Sequence, residues 1–148
     1  MNKLETLLSL EVASDIYRFT SRAAAGNIRD ELTQNNVQCV VVDGGRMHDK
    51  ATFLKAFAAV LRFPKTFGRN WDAFEDSMRD LSWLKLEQGA TFVILCENAG
   101  RFINDNPADW AVARSILTDA ITWWQAHGLH LYILLRGVNA DQAGVPAL

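Results

Sequence analysis

Three apolar runs limit this chain to few folds. They are Gln38–Val42 (QCVVV), Thr91–Cys96 (TFVILC) and Leu129–Leu135 (LHLYILL). None alternates apolar with polar residues, as a strand with one wet face would. Runs of this kind belong to strands buried on both faces. Amphipathic stretches lie between them. Strands alternating with helices predict an α/β fold, a mostly parallel sheet packed by helices and joined by right-handed crossovers.

Helix signals fill in the connections. Asp49 is an N-cap for a helix that turns Phe53, Leu54, Phe57, Val60 and Leu61 inward, and Pro64 stops it. Arg69 or Asn70 opens a second helix, predicted to reach about Leu81. Asn106-Pro107 starts a third, which runs to His127 and ends at Gly128. Ahead of this core, Ile16–Thr20 reads as a short strand and Arg22–Asn35 as a helix. Leu4, Leu7, Leu8 and Val12 have helical spacing, consistent with a short helix or a loose tail. With 148 residues the chain is expected to form one domain. Its parts are a tail or short helix at 1–14, an added strand-helix unit at 15–37, a core at 38–136, and a frayed tail at 137–148.

Several functions are disfavoured by what the chain carries. Its formal net charge is -2, and no run of five like charges occurs, so a nucleic-acid groove is not indicated. Phosphate-binding glycine loops and nucleophile elbows are missing from the sequence. His48, His127 and His130 form no ligand pair with cysteine or carboxylate neighbours, so neither metal nor cofactor is expected. Cys39 and Cys96 sit inside apolar runs and read as buried thiols; a nucleophilic Cys39 is the weaker alternative. No apolar run approaches the ~20 residues of a membrane helix. The N-terminus makes a poor signal peptide, so the expected location is the cytoplasm.

One segment carries functional information: Phe63–Leu84, FPKTFGRNWDAFEDSMRDLSWL. On a helix from Asn70, residues Trp71, Phe74, Met78 and Leu81 share one face. Asp72, Asp76 and Asp80 stack at i, i+4 and i+8 on the opposite face, with Glu75 on the flank. Asp72 in the first turn is favoured by the helix dipole, whereas Asp76 and Asp80 have no such reason to be there. The face suits three roles: a solvated surface, a surface receiving a cationic partner through charge-assisted hydrogen bonds, or an acid/base pair. The last needs a cleft that an exposed helix does not supply. In the loop before it, Gly68 permits a positive φ or a close backbone approach, and Asn70 is a good N-cap.

The run F-P-x-x-F-G-x-N-W-D-A-F-x-D at Phe63–Asp76, with its flanking elements, resembles the barstar family of ribonuclease inhibitors across roughly Gln38–Arg136. The resemblance implies a barstar-like sheet, extended by the N-terminal unit. It also implies a partner, a small basic ribonuclease whose active site receives the motif helix and the loop before it. Asp76 would then be the central acid, where the nuclease holds a substrate phosphate, and Asp72 would meet a second basic group. Gly68, Asn70 and Trp71 would form the contact loop and helix start. Thr66 and Glu75 stand where the family carries aromatics that pack on the nuclease. Near the end of the long helix, where the family's inhibitor adds an acid, this chain has Trp123 and its neighbours, with Asp119 one turn earlier. Trp123 lies off that helix's buried stripe and reads equally as an interface residue or as a cover for the N-terminal unit. Three functions follow: a ribonuclease inhibitor or immunity protein that is not an enzyme, a binding module of the same fold with another basic partner or with itself, and an enzyme using Asp72, Glu75 and Asp76 around a divalent cation.

Overall fold

Four parallel strands form the sheet, in the spatial order β1-β4-β3-β2. They are β1 (Ile16–Arg18), β2 (Gln38–Asp43), β3 (Thr91–Glu97) and β4 (His130–Leu135). The computed structural model describes residues 3–64 and 67–148. Its helices are α1 (Lys3–Leu8), α2 (Ala25–Gln34), α3 (Lys50–Leu61), α4 (Trp71–Met78), α5 (Gly100–Asp105), α6 (Pro107–Ala126) and α7 (Ala140–Ala143).

In β3 and β4 the lack of polar alternation has its cause: both faces of these central strands are covered. Phe92, Ile94 and Cys96 of β3 and Leu131, Ile133 and Leu135 of β4 point into a core shared with α3, α4, α5 and α6. Their neighbours Val93, Leu95, Tyr132 and Leu134 point the other way, into a second core with Leu4 and Leu7 of α1 and Ile28 and Leu32 of α2. Burying a large aliphatic side chain is worth roughly 1.5–3 kcal/mol, so neither face could be left bare. β1 pairs with β4 from Ile16↔Ile133 to Arg18↔Leu135, which adds the N-terminal strand at that edge of the sheet. Tyr17 and Tyr132 donate their hydroxyls to the carbonyls of Ala13 and Val12, at 2.6 and 2.7 Å, and so hold the residues before β1.

Three expectations need correction. The 139–148 segment is ordered by contacts rather than frayed. Asn139 caps α7, Trp110 donates its indole N–H to the Ala143 carbonyl, and Pro146–Leu148 runs beside β1 through Arg18 and Thr20 backbone bonds. Asn106 does not cap α6 with its side chain; its Nδ2 donates to the carbonyls of His48 and Phe102, closing the short α5 that the sequence did not disclose. Finally, β2, whose β-branched run reads as a strand buried on both faces, is an edge strand in which Val42 alone is fully buried.

Other signals hold. Asp49 and Thr52 form a reciprocal capping box at α3. Gly128 follows the α6 C-cap at φ +77°. Gly44 ends β2 where a side chain would collide with the Glu97 carbonyl of the neighbouring strand.

Candidate functional site

The site starts with an aromatic floor. Phe74 of α4 is fully buried and lies 5.5 Å from both Phe53 and Phe57, 5.9 Å from Trp71 and 6.1 Å from Phe63, ring centre to ring centre. The steep interplanar angles, 63° to 88°, bring positive ring edges against negative faces, an arrangement that adds to the burial itself. Trp71 is half-buried at the rim of this cluster, with Lys50 Nζ 5.4 Å from its ring centre.

Both ends of α4 are fastened. At the start, the Asn70 side-chain oxygen accepts from the Ala73 N–H at 2.8 Å. At the end, the Trp124 indole of α6 donates to the Met78 carbonyl at 3.0 Å. The carbonyls of a helix's last turn have no partner within the helix, so this bond fills one of them. Trp124 thus both packs in the core and holds the end of α4. In the approach loop the positive φ falls on Arg69, at +50°, and not on Gly68. Gly68 instead offers its carbonyl to Asn70 Nδ2 at 3.4 Å. Thr66 lies outside the described residues.

The acids differ in their freedom. Asp72 is exposed and forms no ion pair among the described residues. Asp76 is exposed over 85% of its side chain, and its one cation among the described residues, Arg79, stands 3.9 Å away. Arg79 is committed to Glu75 instead, at 2.9 Å. Glu75 is therefore largely neutralised by the fold. Asp80 is a correction: α4 ends at Met78 and Arg79 is its C-cap, so Asp80 lies beyond the helix and the row contains two acids, not three. Leu81 stays buried nonetheless, in the core cluster and just ahead of the turn at Ser82–Leu84.

The remaining candidates separate from this face. Trp123 is half-buried against the α3–α6 core and stacks on His127 at 3.9 Å. The N-terminal unit packs on the opposite face of the sheet, so Trp123 does not cover it. Together with Trp124, Lys85 and Leu129 it lines a cavity of about 350 Å³ that reaches Asp80. Cys39 and Cys96 are unbridged, and Cys39 is only half-buried, against expectation. Burial pushes their thiols up to about 11 and about 12, away from thiolate chemistry. Among the described residues, no three His, Cys, Asp or Glu side chains converge as a metal site would require. No helix among them is long and apolar enough to cross a membrane.

A family model described as Barstar (barnase inhibitor) matches residues 37–136, a span holding β2, α3, α4, β3, α5, α6 and β4. A search of curated protein sequences finds no match. Among solved structures, the ADP form of the Aeropyrum pernix ORC2 protein is similar in fold, with a TM-score of 0.59 at 12% identity. Its ADPNP-ADP complexes give 0.57 at the same identity. The similarity covers 94% of this chain and 39% of the ORC2 chain in each case.

Proposed function

Because this chain belongs to the barstar family, we propose that it binds and blocks a small basic ribonuclease with α4 and the loop before it. A ribonuclease site is cationic because it must stabilise phosphate charge. Carboxylates held on a rigid element can occupy such a site in place of RNA, through charge-assisted hydrogen bonds. The observation that supports this reading is the division of labour among the acids. Arg79 takes Glu75, while Asp72 and Asp76 stay exposed one turn apart on a helix that is fastened at both ends. Opposite charge would also speed encounter with a basic partner.

The contact set in this reading is Thr66, Gly68, Asn70, Trp71, Asp72, Glu75 and Asp76, with Asp76 central. Purified protein titrated against a small basic ribonuclease of the barnase class, with RNA cleavage as readout, tests it. Asp76→Ala should weaken inhibition at least about 30-fold, the lower range for removing one partner of a desolvated charge pair. Asp80→Ala, altering an acid beyond the helix, should change it no more than about threefold, as rim charges do. Equal losses at the two positions, or no inhibition by the unaltered protein, would refute the assignment.

A further inference from the structure

A second site lies at the opposite margin of the sheet. From β1 the chain crosses to β2 at the far edge by way of α2, which packs on one face. It then returns strand by strand through β3 to β4 by way of α3 to α6 on the other face. The direction of winding thus reverses between β1 and β4. In open α/β sheets the loops at such a point part, and the crevice beyond the carboxyl ends of the strands receives ligands.

Here the crevice is a cavity of about 560 Å³ lined by Arg18, Thr20, Ser21, Arg22, Arg136 and Gly137, among others. Among the described residues, no Asp or Glu lines it. Arg136 is spent on structure. Its guanidinium grips the Glu97 carboxylate with two bonds and donates to the carbonyls of Ser21 and Ala23, which fixes the loop after β1. Both side chains of that pair are mostly buried, at 15% and 18% exposed. Arg18 and Arg22 form no ion pair among the described residues. Arg18 Nε is buried without any hydrogen-bond partner, and among the described buried side-chain nitrogens and oxygens it alone lacks one. Buried donors are almost always satisfied, so the Arg18 guanidinium stands at the crevice wall with its hydrogen-bonding capacity not filled by the protein. The Ser21 hydroxyl oxygen accepts from the Ala23 N–H, which leaves its proton free to donate.

We propose that this crevice binds the phosphate group of a small phosphate monoester. Two guanidiniums without carboxylate partners match a dianion, and guanidinium favours phosphate through paired N–H donors. The volume exceeds what a bare oxyanion fills, which leaves room for an organic body against Phe19 and Val138. The site shares no residue with α4 and stands independently of the inhibitor reading.

The test titrates the full chain, by thermal unfolding at constant ionic strength, with inorganic phosphate, glucose 6-phosphate and AMP, using chloride as control. A ligand that binds only the folded state raises the melting temperature saturably. Phosphate and at least one ester should do so, the ester at lower concentration. Arg22→Ala, at an exposed position that cannot unsettle the core, and Arg18→Met should each weaken binding about tenfold, the worth of one charge-assisted bond. Asp76→Ala should leave it unchanged. A shift no larger than chloride's, an equal shift in Arg22→Ala, or esters no tighter than inorganic phosphate would overturn the proposal.

Discussion

If Asp76 is kept for a partner and not for the fold, removing its charge should make the isolated protein more stable. The terms can be summed from the geometry of α4. Asp72 and Asp76 are like charges at i, i+4, a repulsion worth about 0.2–0.5 kcal/mol. Asp76 also sits in the last turn of an eight-residue helix, where the dipole disfavours an anion by about 0.3 kcal/mol or more. Against these stands the contact with Arg79 at 3.9 Å, on a side chain 85% exposed, worth at most about 0.5 kcal/mol. Asp76→Asn keeps the shape and removes the charge, so a net gain of about 0.3 kcal/mol follows, or a rise of about 1 °C in a chain of this size. Glu75→Gln should do the reverse. It breaks the 2.9 Å pair with Arg79 in the favourable i, i+4 orientation and costs about 0.3–0.5 kcal/mol. Urea unfolding at low salt resolves the opposite signs, and both effects should shrink near 1 M salt, where the screening length is about 3 Å. A loss of stability in Asp76→Asn comparable to that in Glu75→Gln would show the acid to be structural and remove the reason for assigning it to a partner.

Two further outcomes concern the fold itself. Phe74→Ala should cost about 3–5 kcal/mol in denaturant unfolding, since it empties the centre of the aromatic floor; a cost below about 1 kcal/mol would mean that α4 is not fastened through that ring. Stability should also fall in alkali. Burial holds the thiols of Cys39 and Cys96 and the Tyr132 hydroxyl protonated up to about 11, 12 and 12, against ordinary values of 9.0 and 10.0. The unfolded chain therefore releases these protons first. Stability is complete below about pH 9 and declines from there toward pH 12, by about 1.4 kcal/mol per pH unit for the fully buried Cys96 alone. Unfolding midpoints measured from pH 8 to 11 should show the decline, and it should be shallower in Cys96→Val.

Much of this molecule is legible in the sequence because its strongest signals are local. An apolar run such as TFVILC needs two covered faces wherever it lies, and Asp49 with Thr52 caps α3 without help from distant residues. Boundaries decided by distant contacts are not legible. Helical periodicity carries from Asn70 to Leu81, yet α4 stops at Met78, whose carbonyl accepts from the distant Trp124 indole. Asp80 falls outside the acidic row because the helix ends before it. The 139–148 segment lacks a periodic pattern of its own and is ordered by Trp110 and the backbone of β1. The arginine crevice does have a local signal: the three apolar runs are followed by Asp43, Glu97 and Arg136, and Arg18 ends the short β1, at the strand ends where open sheets bind ligands. Which of these charges cancel, and which stay free, depends on strand order, and strand order is not local.

If α4 meets a partner as proposed, its two exposed acids set what that partner must offer. Asp72 and Asp76 are separated by four residues, about 6 Å along the helix axis, so the complementary surface needs two cations at that spacing. Glu75 is an acid and not an aromatic, and Arg79 already stands 2.9 Å from it. A partner cannot stack a ring there, nor can it gain a full salt bridge without displacing Arg79. Thr66 likewise supplies no ring. The hydrophobic part of such an interface then falls to Trp71, whose half-exposed ring lies beside Asp72, within reach of Lys50. Binding built this way rests on charge more than on apolar area. It would therefore be fast and selective for basic surfaces, and more sensitive to salt than an interface anchored by aromatics.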